Sequence, residues 1–172
     1  MGGVGGGDLV SRLPSLGPRG EGWVALQVAC FGLIVASIVF APPEADTDPS
    51  SVGTRQLLGY LIGLVAAALL GSGIAELRRA RALTAVPHPL PDAQLVERGA
   101  YRLVRHPIYG GLILGALGLA IITPWIGTFG AVALLAIVLD LKRRREEAWL
   151  TERYSGYAAY RGRTKALFPL LY

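Results

Sequence analysis

The sequence predicts an all-α membrane protein with four transmembrane helices, of which the last two form a helical hairpin, followed by a cytoplasmic C-terminal helical segment. Three observations lead to this prediction. Hydrophobic residues make up 52% of the 172 residues and the mean hydropathy is +0.46. Several uncharged runs are long enough to cross about 30 Å of hydrocarbon. Positive charges occur in blocks beside these runs, as expected of topology signals rather than of a nucleic-acid-binding surface.

The N-terminal residues 1–21 are rich in glycine and serine, and we expect them to form a flexible tail ahead of a single domain at 22–172. A small-residue cleavage site followed by a soluble domain is not found after the first apolar run, so the tail is expected to stay attached. Cys30 is the only cysteine and lies inside an apolar run, which excludes an internal disulfide.

The first two predicted spans cover residues 23–40 and 56–75, separated by a proline pair and an acidic loop at 42–53. Small residues recur in the second span, which predicts close packing of helix backbones in lipid. The same face could serve a homodimer as readily as the bundle. These small residues are Gly59, Gly63, Ala66, Ala67, Gly71 and Gly73.

The next uncharged run, residues 106–139, is too long for one straight helix and is interrupted at 123–127 by Thr-Pro-Trp-Ile-Gly. It predicts a hairpin with spans at 107–123 and 125–141. The remaining residues, 142–172, form the C-terminal segment.

Lysine and arginine counts predict the orientation of the chain. Two arginines precede the first span, Arg55 alone lies in the first loop, six arginines lie between spans two and three, and eight Lys or Arg follow the hairpin. The positive-inside rule then places both termini in the cytoplasm of a multi-pass protein of the cell membrane. The two most charged segments lie on the same side and can build one site.

The stretch from Gly99 to Gly111 places cations, a histidine and two tyrosines at the start of the third span. Pro107 suits the first helical position, so Arg105 and His106 lie at the positive end of that helix, where an anion is stabilised. His106 and Tyr109 are three residues apart and share a helix face. Alone, His106 could equally cap the helix.

A second polar stretch begins at residue 140. Lys142 and Glu146 are four residues apart on one helix face, and Glu146 and Glu147 enter a basic neighbourhood. Periodicity alone favours a solvated juxtamembrane helix, with ordinary surface pairs and the run 143–145 facing lipid. Beyond it, Tyr157 and Tyr160 offer aromatic faces suited to a membrane interface or an adenine ring. His88 has no partner at ligand spacing, so no metal site is expected.

Together these features resemble the integral membrane methyltransferases that include isoprenylcysteine carboxyl methyltransferases and phospholipid methyltransferases. The resemblance rests on Tyr-Arg-Leu-Val-Arg-His-Pro-Ile-Tyr-Gly at 101–110, a hairpin, the Glu146–Glu147 pair, the tyrosine cluster and Pro169, and it covers about residues 95–170. Two departures are Ala100, where proline is common, and a tyrosine tail that is one residue tighter than usual.

The resemblance implies an enzyme without a Rossmann sheet that binds S-adenosylmethionine at the cytoplasmic end of the bundle and releases S-adenosylhomocysteine. It implies catalytic roles for Arg105 and Glu146 at the substrate end. It implies cofactor contacts from Tyr101, His106, Tyr109, Glu146, Glu147, Tyr157 and Tyr160.

The expected partners are membrane lipids and a small lipophilic methyl acceptor that arrives from the bilayer. The acceptor stays open among a prenylcysteine carboxylate, a phospholipid amine and a quinol- or phenol-like lipid. Two other functions also stay open. One is an NADPH-dependent membrane sterol-type reductase, although these enzymes are usually longer, and the other is a non-catalytic module that binds lipid or a protein partner.

Overall fold

The computed structural model describes residues 13–43 and 48–169. Over these residues the chain is helical, with an isolated β-bridge but without a β-strand, which confirms the all-α prediction for the described part. In chain order the elements are α1 (Glu21–Val39), α2 (Pro49–Arg79), a 3-10 helix (Gly99–Arg102), α3 (Pro107–Ile122), α4 (Ile126–Arg153) and α5 (Tyr157–Arg163).

Two helices, α1 and α2, are long and apolar enough to cross a membrane. The apolar helix α3 is shorter, with 16 residues. Helix α4 continues from the predicted fourth span into the charged segment without a break, as far as Arg153. Four spans with cytoplasmic termini therefore stay a prediction, whereas an apolar bundle suited to a membrane is what the chain forms.

Helix α2 begins seven residues before the predicted start at position 56, because local signals define its first turn. The carboxylate of Asp48 accepts the Ser51 N–H at 3.0 Å, and Pro49 occupies the first turn, where its missing N–H is not needed. Helix α3 likewise begins at Pro107, as predicted. His106 occupies the N-cap position, but its side chain forms no capping bond, so the interpretation that the imidazole caps the helix is wrong.

Helices α2 and α3 approach each other backbone to backbone at glycines. A Cβ atom on Gly118 would lie 2.8 Å from the carbonyl oxygen of Gly59, and one on Gly111 would lie 3.0 Å from that of Ala66. Such contacts exclude larger residues, so the predicted close packing is confirmed here. A Cβ atom on Gly63 or Gly71 would meet nothing within 4 Å, so neither position requires a glycine, although the main-chain nitrogen of Gly63 lies 3.5 Å from a Cβ atom placed on Gly118.

Helices α1, α3 and α4 enclose the main apolar core. Its fully buried residues include Ile34 of α1, Ala120 of α3, and Leu135 and Leu139 of α4. This packing determines where along its length α4 leaves the apolar core. It therefore also determines where the charged side chains of α4 lie.

The connection between α2 and the 3-10 helix folds over the polar end of the bundle, and we call residues 82–96 the cover loop. Side chains of α4 and the residue after it hold the loop by its main-chain carbonyls. The Lys142 Nζ donates to the Ala85 oxygen at 2.9 Å and the Tyr154 hydroxyl donates to the Ala93 oxygen at 2.6 Å. Arg153 donates to the Pro91 oxygen.

The predicted flexible tail lies in part outside the described residues, which begin at position 13. Of its remaining residues, Pro14 accepts a hydrogen bond from the Trp23 indole at 3.2 Å, and Arg19 accepts one from the N–H of His88 at 3.3 Å. Residues 13–20 therefore contact both α1 and the cover loop.

The segment after α5 runs parallel to the residues before α3. Main-chain N–H groups of Arg105 and His106 donate to the oxygens of Lys165 and Ala166 at 2.8 and 3.0 Å, and Val104 and Lys165 form an isolated β-bridge. Gly110 permits this approach, because a Cβ atom there would lie 2.7 Å from the Leu167 oxygen. The pairing holds Arg105 and His106 in place.

Candidate active site

A cavity of about 420 Å³ lies between the helix bundle and the cover loop. Seven of the eight predicted site residues line it, and the exception is Glu147. Further lining comes from Gln27 of α1, from the polar end of α2, from the cover loop and from Lys142 of α4. The seven predicted residues are Tyr101, Arg105, His106, Tyr109, Glu146, Tyr157 and Tyr160.

Glu146 presents its carboxylate on the cavity wall, where its side chain is 25% exposed. The Tyr109 hydroxyl donates to Oε2 at 2.7 Å, and the His106 Nδ1 lies 3.9 Å from the same oxygen. The rings of His106 and Tyr109 are stacked, with centroids 5.4 Å apart. The predicted shared face of these two residues is confirmed, and it holds one carboxylate in a fixed direction.

Glu147 lies behind this wall at the centre of a buried ion cluster. Its Oε1 accepts from the Arg105 Nε at 2.9 Å, lies 3.2 Å from the His106 Nε2 and lies 3.6 Å from the Arg143 Nη1. Its Oε2 lies 3.7 Å from the Arg161 Nε. One carboxylate thus joins α4, α5 and the two residues before α3.

The ion cluster determines the charge of Glu147. Burial raises the pKa of this carboxyl, but the hydrogen bonds and charges of His106 and Arg105 outweigh burial and lower the pKa to about 2. The carboxylate therefore stays ionised at neutral pH. The sequence predicted that the start of α3 stabilises an anion, and in the structure the anion next to Arg105 and His106 is the Glu147 carboxylate.

The expectation that the run 143–145 faces lipid is wrong for Arg143. This residue is buried, and its guanidinium pairs with Asp140 at 2.7 Å as well as with Glu147. Since Lys142 and Glu147 are buried too, this part of α4 is not a solvated juxtamembrane helix. Arginine repeats are ambiguous in sequence, because the helix turns each successive residue to a different environment.

Arg105 is largely occupied by the protein. Besides the bond to Glu147, its Nη1 donates to the main-chain oxygen of Arg161 at 3.2 Å and to that of Thr164. A direct contact between Arg105 and a methyl acceptor stays a prediction, and the observed bonds already give Arg105 a positioning role for the segment after α5.

Tyr157 and Tyr160, two of the five tyrosines that line the cavity, differ in what their hydroxyls do. The Tyr160 hydroxyl donates to the main-chain oxygen of Tyr101 at 2.7 Å, so Tyr160 offers the cavity only its ring. The Tyr157 hydroxyl is buried and has no hydrogen-bond partner among the described residues. Burial raises the pKa of both Tyr157 and Tyr160, so both phenols stay neutral and can donate a proton in a hydrogen bond.

The role of Lys142 was not predicted beyond its helix spacing to Glu146. Its Nζ donates to the Gln27 Oε1 at 2.7 Å and lies 5.2 Å from the centroid of the Tyr109 ring. A lysine at the edge of an apolar run ordinarily signals an interface, so only the tertiary contact with Gln27 of α1 distinguishes it.

His88 packs its ring edgewise against Trp149, with the centroids 5.2 Å apart. In the described part of the chain, residues 13–43 and 48–169, there is no group of three or more His, Cys, Asp or Glu side chains that could hold a metal ion.

These features define a helical membrane-type protein with a carboxylate-bearing cavity at its polar end. Residues 54–156, more than half of the chain, match the family model described as phospholipid methyltransferase. The chain belongs to this methyltransferase family. The matched region includes Arg105, His106, Tyr109 and the Glu146–Glu147 pair, and it ends one residue before Tyr157.

One characterised relative is similar over part of the same region. The cobalt-zinc-cadmium resistance protein CzcN of Cupriavidus metallidurans is 37% identical over 78 residues. The match covers 45% of this chain and 36% of that protein, so this chain corresponds to only about a third of the relative's length.

Proposed function

We propose that this protein is an integral membrane methyltransferase that uses S-adenosylmethionine to methylate a small lipophilic acceptor. The observation that carries the proposal is the cavity in a methyltransferase-family chain, with Glu146 and Tyr157 among its lining residues. We further propose four spans, with both termini and the cavity on the cytoplasmic side.

The side chains of the cavity fit this cofactor. Tyr157 has a buried hydroxyl that lacks a partner among the described residues, and such a group favours a ligand atom that accepts a hydrogen bond. Glu146 offers a carboxylate for a ligand ammonium or hydroxyl. The rings of Tyr157 and Tyr160 meet edgewise at 5.8 Å and form an aromatic wall suited to a purine. A volume of about 420 Å³ is in the usual range for small-molecule sites.

S-adenosylmethionine, when bound, supplies a methyl group that its positive sulfur already activates. The protein then has to align the acceptor and keep water out. Apolar side chains of α2, the cover loop and α3 line the cavity, among them Leu77, Leu83 and Leu112, and such a lining disfavours water beside the reacting atoms. If the acceptor is an amine or a phenol, Glu146 can take its proton, because Tyr109 holds this carboxylate at the wall.

Calorimetric titration of the detergent-purified protein tests the proposal. We expect S-adenosylhomocysteine to bind with 1:1 stoichiometry and NADPH not to bind. Binding of NADPH alone would overturn the proposal in favour of a reductase. Binding of neither compound to protein that still unfolds cooperatively would favour a non-catalytic module. A transfer assay with a radiolabelled methyl donor and candidate lipids then identifies the acceptor.

A further inference from the structure

Lys142 is a buried cation among the residues that line the cavity, and it has no carboxylate at ion-pair distance among the described residues. The residue is 2% exposed, and its two hydrogen-bond acceptors, the Gln27 amide oxygen and the Ala85 carbonyl oxygen, are both neutral. The Glu146 carboxylate, one helical turn further along α4, attracts this ammonium group, but it is not within ion-pair distance and its own hydrogen bond comes from Tyr109. Removing an ammonium group from water is costly, and neutral oxygens offset only part of that cost.

The contrast with the neighbouring cations is clear. Arg105 and Arg143 are also buried, but each has a carboxylate at ion-pair distance. Lys142 uses two of its three N–H donors on the protein. An anionic atom in the cavity would both satisfy the remaining donor and balance the charge.

Lys142 lies on the part of α4 that is nearer to the apolar run, and it bonds both Gln27 of α1 and Ala85 of the cover loop. It precedes Glu146 by one helical turn on α4, whereas Tyr157 and Tyr160 lie beyond the other end of that helix, in α5. On the proposed function, the aromatic end takes the adenine of the cofactor. The Lys142 end, with Gln27 and Leu112, is then left for the acceptor.

We infer that Lys142 recognises an anionic oxygen of the acceptor, such as a carboxylate, a phosphate ester or a phenolate. This inference rests on the proposed function, because that function assigns the other end of the cavity to the cofactor. An acceptor whose headgroup is only an amine is not selected by this wall, since an ammonium group repels a second cation.

The experiment measures binding of single-chain amphiphiles to the full chain in dodecyl maltoside. The probes are dodecyl phosphate, dodecanoate and 4-dodecylphenol, with dodecylamine and dodecanol as the cationic and neutral counterparts. We expect at least one of the three acidic probes to bind, and dodecylamine and dodecanol to bind at least tenfold more weakly. The acidic probe that binds best distinguishes the three sources of the anionic oxygen.

The substitution Lys142→Met should weaken binding of the acidic probe about tenfold or more, and Lys142→Arg should retain most of it. Lys165→Met is the matched control, because Lys165 is the other lysine of the chain and its side chain is exposed. If the Met variant does not fold, Lys142→Gln removes the charge and keeps a polar side chain. Equal binding of acidic and neutral probes, or full binding by the uncharged variants, would overturn the inference.

Binding of S-adenosylhomocysteine is measured on the same samples. If that compound binds normally to the Met variant while the acidic probe is lost, both the function and the inference stand. If S-adenosylhomocysteine binds neither to the wild-type protein nor to any variant and binding of the acidic probe still depends on Lys142, the proposed function fails and the anion site stands without it.

Discussion

Glu146 and Glu147 are adjacent in sequence, but they lie in different surroundings. The carboxylate of Glu146 is on the cavity wall with one hydrogen bond from Tyr109, whereas that of Glu147 is buried among two arginines and His106, with a third arginine, Arg161, nearby. Consecutive helical residues point about 100° apart, so an adjacent pair can serve two sides of one wall. An adjacent glutamate pair can therefore place one carboxylate at the cavity for a ligand and use the other to hold the surrounding arginines and His106 in position.

The largest effect is expected from Glu147→Gln. The change leaves Arg105 and Arg143 buried without their shared carboxylate, and breaking a buried pair in this way costs about 3–5 kcal/mol. Thermal unfolding in detergent should shift down by roughly 10 °C. Glu152→Gln is the matched control on the same helix, because Glu152 is exposed. An unchanged midpoint for Glu147→Gln would contradict the structural role of the ion cluster.

Acid should affect the same cluster. The folded-state pKa of Glu147 lies near 2, below its ordinary value of 4.5, so its contribution to stability is complete above pH 4.5 and is lost as the pH falls toward 2. The unfolding temperature of the wild-type protein should fall across that interval, and that of Glu147→Gln should fall less. A parallel fall in both proteins would assign the acid sensitivity to other groups.

Glu146→Gln should give the opposite pattern to Glu147→Gln. Because Glu146 is partly exposed and has one neutral donor, the unfolding temperature should change little. Affinity for S-adenosylhomocysteine should fall about tenfold, since a hydrogen bond between charged groups becomes a neutral one. Titration calorimetry on both Gln variants measures the contrast. Unchanged affinity would remove Glu146 from the cofactor site.

The smallest effect, Tyr157→Phe, tests the aromatic end of the cavity. The change removes a buried hydroxyl that has no partner among the described residues, so stability should stay the same or rise slightly. Affinity for S-adenosylhomocysteine should fall about threefold to tenfold if the ligand uses that hydroxyl. Tyr160→Phe is the comparison, because that hydroxyl is bonded to Tyr101 and its loss should lower stability instead.

Local sequence signals predicted the elements that local interactions determine. Pro107 predicted the first residue of α3, and the three-residue spacing of His106 and Tyr109 predicted their shared face. The ends of α2 and α4 differ from the predicted spans because capping by Asp48 and helical continuity through residue 153 do not depend on hydropathy.

Contacts between distant residues were not predictable from such signals. The main-chain N–H of Arg105 donates to the oxygen of Lys165, sixty positions further along the chain. Because this bond uses main-chain atoms only, the pattern of side chains in the sequence does not indicate it. The burial of Lys142 depends on Gln27 in α1, and the burial of Arg143 depends on Glu147 within its own helix. The charges of these residues suggested a solvated surface, and only the packing of the helices shows that Lys142 and Arg143 are buried.

The cover loop is attached to α4 and Tyr154 through main-chain atoms of the loop rather than through its side chains. Lys142, Arg153 and Tyr154 hold the loop by the carbonyls of Ala85, Pro91 and Ala93, and every residue type has a main-chain carbonyl. Mutations can therefore replace the loop's side chains, including those facing the cavity, without releasing the loop. Relatives can accumulate different loop sequences over the same helices, and acceptor preference can evolve there while the rest of the chain stays under selection.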